Sequence, residues 1–165
     1  MGSSARTPAS SLTNVVLRPA TVADLPEVAA LERTCYGDPW PASAFASLPT
    51  NARVFFAVAR NDVRGQLAGY VVAWYVLDEG ELANLAVAPD LRGRGIGRAL
   101  LDAMLRDAEL RGTAQLFLEV RQSNEAARKL YASKNFEEIG RRKRYYRNPT
   151  EDALILRHTL RPKLT

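Results

Sequence analysis

An apolar strand and an amphipathic helix, joined by a glycine-rich loop, constrain the fold of this chain more than any other segment. Residues 81–87 (ELANLAV) have the composition of a buried strand, which Pro89 ends because proline cannot donate to a strand ladder. From Gly95 to Arg111, apolar residues recur at intervals of three and four positions, which predicts one continuous helical stripe. Residues 113–120 (TAQLFLEV) form a second strand of the buried type. A helix of this length between two strands is typical of a crossover that pairs parallel strands.

The segments on either side of this unit predict an α+β fold. The further predicted elements are a strand at 15–17, a helix from Thr21 or Asp24 to about Tyr36, a short helix at 43–48, a hairpin of strands 53–60 and 67–77, a helix from Ser123 or Asn124 to about Lys134, and strands at 136–146 and 152–158. Together they predict a mixed, mostly antiparallel sheet with a central parallel pair, flanked by helices. We assign residues 13–160 to one domain, residues 1–12 to a disordered N-terminus or a vector-derived remnant, and residues 161–165 to a C-terminal tail.

Composition excludes several classes of protein. The 165 residues are 47% hydrophobic and 25% charged, as in one globular domain, and no apolar run approaches the roughly 20 residues of a membrane span. Cys35 is the only cysteine and His158 the only histidine, so the chain cannot form an internal disulfide or the usual zinc shell. We therefore expect a cytoplasmic, metal-independent protein that does not insert into membranes.

The charge is unevenly distributed along the chain. Residues 1–82 carry 6 basic and 8 acidic side chains, a balance of −2, whereas residues 83–165 carry 17 and 10, a balance of +7. This polarity suits a phosphate-bearing cofactor on one side and a cationic substrate on the other, and it also suits a nucleic-acid binder. The basic run at 141–144 lies in a predicted strand, whose alternate side chains face opposite ways and divide the run between two faces. Direct nucleic-acid binding is therefore not expected.

The glycine-rich loop between the strand and the helix predicts an anion-binding site. Glycines at 93, 95 and 97 let the backbone present successive N–H groups, and the helix that they open adds the positive end of its dipole. Arg98 stands where a dinucleotide-binding fingerprint requires glycine, and the Gly-Lys-Ser/Thr triplet of a nucleotide triphosphate site is missing. Two interpretations of the loop remain. It binds the pyrophosphate of a carrier such as coenzyme A, or it is only a tight turn whose glycines shape the connection between strand and helix.

The sequence Arg92-x-x-Gly95-x-Gly97, placed between an apolar strand and an amphipathic helix, resembles the acetyl-CoA signature of the GCN5-related N-acetyltransferases (GNAT). The order of elements from about Val15 to His158 is similar to that fold, in which the two central parallel strands splay apart. The resemblance implies acetyl-CoA as the cosubstrate, with its pyrophosphate on the loop N–H groups and its pantetheine arm along strand 81–87. The cofactor-binding residues implied in this way are Leu85, Ala86, Val87, Arg92, Gly93, Arg94, Gly95, Ile96, Gly97, Arg98, Asn124 and Tyr131.

Several other motifs resemble one branch of this family, the RimI-type ribosomal-protein-alanine N-acetyltransferases. These motifs are LEVR at 118–121 with Ser123-Asn124, Ala127, Leu130-Tyr131 and Phe136, then Gly140-x-Arg142-x-x-Tyr145-Tyr146, Glu151-Asp152-Ala153, and the earlier pair Pro39-Trp40. The resemblance implies acetyl transfer to the N-terminal α-amine of a protein, with an alanine-starting, small-subunit ribosomal protein as acceptor, by direct attack in a ternary complex. It also implies Glu119 as the general base and Tyr131 as the general acid, with Trp40 and Tyr145 bordering the peptide groove.

Elementary chemistry supports these roles and leaves rivals open. A carboxylate can take the proton of an α-amine, whose pKa is about 8, as the nitrogen attacks. Glu119 fits that role near the end of an apolar strand, while the plain alternatives are an ion pair with Arg121 or a solvent-facing position. Glu81, on the neighbouring strand, is the rival base and a weaker candidate for substrate binding. Tyr131 lies seven residues after Asn124, on nearly the same helix face, and either protonates the departing thiolate or packs the helix onto the sheet.

Two other functions are compatible with the same residues. One is acetylation of a lysine side chain or a small-molecule amine, because the acceptor half, residues 15–78, carries the weakest motif. The other is a basic binding module for ribosomal RNA, against which the intact loop, Asn124 and Tyr131 argue. Cys35 has no histidine near it in the sequence, so we expect a small buried residue rather than an acyl-accepting nucleophile. We expect the protein to be a monomer or a weak dimer.

Overall fold

The computed structural model describes residues 14–160, which form one seven-stranded mixed sheet with helices on both faces. The strands are β1 (Val15–Pro19), β2 (Val54–Asn61), β3 (Leu67–Val76), β4 (Glu79–Val87), β5 (Gln115–Arg121), β6 (Glu137–Tyr146) and β7 (Glu151–Thr159). The helices are α1 (Leu25–Cys35), which follows a 3₁₀ turn at Val22–Asp24, α2 (Ile96–Leu110) and α3 (Glu125–Ser133). The predicted N-terminal segment 1–12 and tail 161–165 lie outside the described residues, and the limits of the domain stay a prediction.

The central strands β4 and β5 are parallel, as the crossover pattern predicted, but they pair over only a short length. Their ladder runs from Glu79 opposite Gln115 to Leu82 opposite Leu118 and then stops, while both strands continue. The strands therefore diverge towards their carboxyl ends. On its other side β4 carries an extra residue, Ala83, because the register with β3 shifts at this point. A bulge of this kind bends a strand, so it accompanies the divergence of β4 from β5.

The last two strands pair in an order that the sequence analysis left open. The sheet order is β1-β2-β3-β4-β5-β7-β6, so β7 lies inside the sheet and β6 forms its edge. Burial explains this order, because Ala153, Leu154 and Leu156 of β7 are buried whereas β6 is exposed along nearly its whole length. Charged side chains on an edge strand also discourage pairing with other chains.

Each face of the sheet has its own hydrophobic cluster. On one face, the predicted stripe of α2 buries Ile96, Leu100, Met104 and Ala108 against the sheet. On the other face, α1 packs with Phe45 and other buried side chains that follow it in the chain. The prediction of a short helix at 43–48 is wrong, because two 3₁₀ turns, Ala42–Phe45 and Leu48–Thr50, stand there instead.

One buried side chain anchors each of these turns. Phe45 ends the first turn and Leu48 begins the second, and both are at most 2% exposed. Both side chains belong to the hydrophobic cluster on this face of the sheet, so tertiary packing holds the two turns in place.

Candidate active site

The gap between β4 and β5 exposes one edge of the β4 backbone. Beyond the end of β4, the N–H of Ala88 bonds to the Ala68 carbonyl on the β3 side. Because backbone groups of successive strand residues point to opposite edges, those of Leu85 and Val87 face the gap. Side chains already reach both carbonyls: the Tyr36 hydroxyl donates to Leu85 O at 2.7 Å and Arg92 Nε donates to Val87 O at 3.2 Å. A cofactor in the gap can therefore bond to the N–H groups of Leu85 and Val87, which is the alignment that the sequence analysis predicts.

The glycine-rich loop leads directly from the gap into α2. Gly93 and Gly95 have φ values of 76° and 83°, in the left-handed region that glycine adopts without strain. The first unpaired N–H groups of the 15-residue helix α2 follow, at its positive end. Arg92 and Arg94 of the loop and Arg98 in the first turn of α2 are exposed. This combination of oriented N–H groups and exposed positive charge is what a pyrophosphate requires.

Gly97 differs from the other two glycines of the motif. It lies inside α2, in agreement with the helix predicted from Gly95 to Arg111. A Cβ at this position would meet Leu130 Cδ2 at 3.5 Å and Val87 Cγ2 at 3.6 Å, both ordinary van der Waals contacts. Gly97 is therefore required neither by backbone conformation nor by packing within the chain. Ile96 is buried, so only its backbone can serve a ligand.

Cys35 lies beside this loop and is half-buried rather than buried as expected. Its Sγ is 3.5 Å from Arg92 Nη2 and 3.7 Å from the Val87 carbonyl. Burial raises the pKa of the thiol above its ordinary value, although Arg92 opposes this effect. A raised pKa agrees with the expectation that Cys35 is not a nucleophile.

A cavity of about 320 Å³ lies on the face of the sheet where β3, β4, β5 and β7 pass side by side. Glu81 and Phe117 are paired neighbours on β4 and β5, and Glu119 follows Phe117 on the same face. The side chains that define its chemistry are Trp74, Glu79, Glu81, Phe117, Glu119 and Arg142. Three carboxylates against one guanidinium make the cavity suited to a cationic ligand.

Glu119 forms an ion pair with an arginine that the sequence analysis did not select. Arg142 Nε lies 2.7 Å from Glu119 Oε1, with side-chain exposures of 56% and 20%. The alternative of a pair with Arg121 is wrong. Arg121 turns instead towards the β6–β7 connection, where it contacts Glu151 at 3.3 Å and donates to the Arg147 carbonyl at 2.8 Å. Glu119 consequently faces the cavity with a partner from the edge strand.

The Glu119 carboxylate contributes to raised pKa values at two neighbouring side chains. The pKa of Glu81 is raised, mainly by burial and then by the nearby Glu119, while Arg142 opposes the shift. The pKa of Tyr145 is raised first by its hydrogen bond to the Glu119 carboxylate. The structure thus brings Glu81, Glu119 and Tyr145 close together.

Tyr131 is buried in the core beneath this region, at 5% exposure. Its ring packs edge-on against Phe136, with centroids 5.7 Å apart, so the packing role proposed as the alternative is real. Burial also raises the pKa of Tyr131 above its ordinary value, followed by a contribution from Tyr146. The hydroxyl therefore keeps its proton at neutral pH, as a proton donor must.

Asn124 caps α3, as predicted. Its side-chain oxygen accepts a hydrogen bond from the Ala127 N–H at 3.1 Å. The oxygen is thus occupied by the helix, and only the amide nitrogen is free of that task. A contact between Asn124 and the pantetheine arm stays a prediction that would use this nitrogen.

Trp40 does not line the cavity. Its ring packs on Phe45 with centroids 5.5 Å apart, and its backbone N–H donates to Glu32 at 3.0 Å. Glu32 is only 1% exposed and also accepts hydrogen bonds from the Tyr70 hydroxyl and the Asn84 amide. Sequence reasoning missed this buried carboxylate, although its place four residues after buried Val28, on the apolar face of α1, could have revealed it.

Within residues 14–160, no group of three or more His, Cys, Asp and Glu side chains is arranged to hold a metal ion. In the same part of the chain, no helix combines the length and the apolar character needed to cross a membrane.

Comparison with known proteins places the chain among acetyltransferases. The model of the acetyltransferase (GNAT) family matches residues 25–136. The ribosomal protein bS18-alanine N-acetyltransferase of Escherichia coli strain K12 is 41% identical over 137 residues, which cover 81% of this chain and 89% of that protein. The crystal structure of the ribosomal-protein-S18-alanine N-acetyltransferase from Escherichia coli has a TM-score of 0.81 at 34% identity, covering 92% of this chain and 98% of that one. Arabidopsis thaliana NAA60 in complex with acetyl-CoA shares the fold, with a TM-score of 0.79 at 18% identity and coverage of 89% and 99%.

Proposed function

The chain belongs to the acetyltransferase (GNAT) family, and from this premise we propose that it acetylates the N-terminal α-amine of a ribosomal protein, with the alanine of bS18 as acceptor. It is an acetyl-CoA-dependent acyltransferase, which confirms the resemblance found in the sequence. The observation that carries the choice of acceptor is the 41% identity to a relative named for bS18-alanine acetylation. The carboxylate-lined cavity is compatible with this choice, because an α-amine, like other amine acceptors, arrives mostly as a cation at neutral pH.

The chain offers acetyl-CoA a binding surface that runs from the loop into the gap. Acetyl-CoA supplies the thioester that the acceptor amine attacks. The N–H groups of residues 93–98 can bind its pyrophosphate, with Arg92, Arg94 and Arg98 adding positive charge. The N–H groups of Leu85 and Val87 face the gap and can hold the pantetheine arm. An N–H fixed near the thioester carbonyl would also stabilise negative charge that develops on its oxygen.

Glu119 and Tyr131 can perform the two proton transfers. The carboxylate of Glu119 faces the cavity and can accept the amine proton, directly or through water. The hydroxyl of Tyr131, kept protonated by burial, can supply a proton to the departing thiolate. The reaction is then a direct attack in a ternary complex, without a covalent enzyme intermediate.

The proposed enzyme acts in the cytoplasm, where ribosomal proteins are synthesised, as a monomer or weak dimer. The enzyme recognises its acceptor through the protein N-terminus and not through direct nucleic-acid binding.

The release of CoA thiol in the presence of peptide acceptors tests this function. Two peptides of identical sequence are compared, one with a free N-terminal alanine and one blocked there but containing lysine. We expect release only with the free terminus. Glu119→Gln should lower kcat by about 10²-fold or more, as expected for loss of a general base. Glu138→Gln on the exposed edge strand, where Glu138 pairs with Arg141, is the matched control and should leave kcat unchanged.

Each other outcome points to a different function. Release only with the blocked peptide would move the assignment to lysine acetylation. Release with neither peptide would leave a small-molecule amine as the acceptor. A normal rate in Glu119→Gln with a free terminus would keep the function but remove Glu119 as the base.

A further inference from the structure

Arg142 lies where two carboxylates from adjacent parallel strands face each other. Glu81 belongs to β4 and Glu119 to β5, and both line the same cavity with Arg142. The guanidinium Nε is 2.7 Å from Glu119 Oε1, a short, charge-assisted hydrogen bond. The titratable and charged groups that face Glu119 are Glu81 from β4 and Arg142, Tyr145 and Tyr146 from β6, with Glu79 in the same cavity. Among these groups Arg142 is the one positive charge.

Two requirements of the proposed chemistry conflict at this point. Glu119 must carry no proton when the acceptor arrives, yet Glu81 nearby disfavours a second negative charge. A positive neighbour resolves that difficulty. The same neighbour, however, bonds to Oε1 of Glu119 and therefore competes there with the ammonium of the acceptor. The counter-ion therefore has to be present before the acceptor binds and able to give way at that oxygen when the ammonium arrives.

The position of Arg142 meets both requirements. It extends from the edge strand β6, and its side chain is 56% exposed, against 20% for Glu119. A guanidinium in this position can swing into solvent without leaving a buried charge behind. Arg142 also lies over the Tyr145 ring, at 5.7 Å from the centroid, which gives the side chain a second resting contact outside the ion pair.

We propose that Arg142 is a positioning residue that serves as the resident counter-ion of the Glu81–Glu119 pair and is replaced at Glu119 by the ammonium of the acceptor. This inference rests on the proposed role of Glu119 as the base. In this role Arg142 acts through the carboxylates and not on the thioester or the leaving group. It offsets the negative charge of Glu81 and Glu119 until a second cation, the substrate itself, takes over that task at Glu119.

Replacing the guanidinium should have opposite effects at the two ends of the pH range. In Arg142→Gln, repulsion between Glu81 and Glu119 is no longer opposed, so the acidic limb of kcat/KM for the peptide should rise by about half a pH unit to one unit. Above that limb, the ammonium no longer competes with a resident cation, so the KM for the peptide should fall severalfold. A residue that only stabilised the fold would lower activity at every pH.

Two further variants separate this role from general effects. Arg141→Gln removes the neighbouring arginine, which pairs with the exposed Glu138 at 3.2 Å, and should leave both the limb and the KM unchanged. Adding Glu81→Gln to Arg142→Gln removes the repulsion and should return the acidic limb to its wild-type position. The ionisation of the peptide amine is the same with every variant, so differences between the profiles report on the enzyme.

The profiles are measured with saturating acetyl-CoA and an alanine-starting peptide, over the pH range in which intrinsic fluorescence shows each variant to be folded. An acidic limb in Arg142→Gln that coincides with the wild type would overturn the proposal, as would an equal shift in Arg141→Gln. An inactive double variant would assign the base to Glu81 and overturn it too. If the wild-type enzyme itself released no CoA with this peptide, the proposed function would fail, which is a distinct result.

Discussion

At the scale of single residues, the observed packing of Tyr131 is compatible with the acid role proposed for it, although sequence reasoning treats the two as rivals. Its ring contributes to the core against Phe136, and its hydroxyl carries a proton that burial prevents it from losing near neutral pH. Burial accounts for both properties. It removes the ring from water, and the loss of solvation disfavours the phenolate form of the hydroxyl. Packing in the core therefore does not exclude the proposed acid role at this position.

Removal of the Tyr131 hydroxyl should separate these roles. In Tyr131→Phe we expect kcat to fall by about 10²-fold, the lower end for loss of a general acid, since the packing ring is retained. The KM for acetyl-CoA and the thermal midpoint should change little. Steady-state kinetics of CoA release and a thermal unfolding curve measure both quantities.

Tyr75 supplies a matched control for this substitution. It is buried to a similar degree, at 6% exposure against 5%, and its hydroxyl has no hydrogen-bond partner that meets normal geometry within residues 14–160. It lies against Arg111, whose guanidinium is 4.4 Å from the ring centroid. Tyr75→Phe should leave kcat intact. Equal losses in the two variants would mean that Tyr131 acts only through packing.

Side chains that belong to local motifs could be predicted, whereas those whose partners come from distant elements could not. Tyr131 and the Asn124 cap follow from short sequence patterns. The partner of Glu119 is Arg142, 23 positions away, because β6 folds back beside β7. Glu32 on α1 likewise takes its hydrogen bonds from β3, β4 and the Trp40 turn together. No short sequence pattern indicates that elements so far apart in the chain meet at one side chain.

At the scale of elements, hydrophobic periodicity predicted local structure such as helix α2 but not the features that depend on contacts between elements. The 3.6-residue period placed α2 within one residue of its observed ends. The bulge at Ala83 and the short ladder between β4 and β5 have no such signature in the sequence, since they arise from how neighbouring strands meet. The splayed pair was expected from the family resemblance, and the structure confirms it.

The glycine-rich loop offers a test at this scale, because its glycines differ in backbone conformation. Gly95 has a φ of 83°, which an alanine would adopt at a cost of about 1–2 kcal/mol or avoid by shifting the loop N–H groups. Gly95→Ala should therefore lower stability and raise the KM for acetyl-CoA about tenfold or more, through weakened pyrophosphate binding. Thermal unfolding and steady-state kinetics report these two effects.

Gly97→Ala is the matched comparison within the same motif. The position is helical, and a Cβ there makes contacts of 3.5 Å and longer, so alanine should stabilise α2 by about 0.5–1 kcal/mol. We expect the KM for acetyl-CoA to stay close to the wild-type value. If both variants lost acetyl-CoA binding equally, the free approach of the backbone at Gly97 would matter more than the left-handed conformation at Gly95.

At the scale of the whole molecule, the sheet consists of two parts that meet along the four-residue ladder between β4 and β5. One part contains β1 to β4, and the other contains β5, β7 and β6. The proposed position of acetyl-CoA lies in the opening between these parts, where backbone N–H groups of β4 face the gap. A ligand bound there would add contacts at the place where the two parts of the sheet pair least.

Binding of acetyl-CoA should therefore stabilise the whole fold and protect a defined set of amides. At a concentration of about 100 times Kd, linkage predicts roughly 2.7 kcal/mol of stabilisation. In a chain of this size that corresponds to a rise of roughly 5–10 °C in the thermal midpoint. The midpoint alone reports only saturation, so hydrogen exchange is needed to locate the contacts. We expect slower exchange in residues 93–98 and at Leu85 and Val87.

ADP distinguishes phosphate binding from bridging of the gap, since it carries a pyrophosphate but no pantetheine arm. At matched saturation it should protect residues 93–98 while leaving Leu85 and Val87 as in the free enzyme. Protection of the β4 amides by ADP would mean that loop binding alone closes the gap. Protection of neither region by acetyl-CoA would contradict the proposed binding surface, because the N–H groups of Leu85 and Val87 that face the gap would then remain open to water.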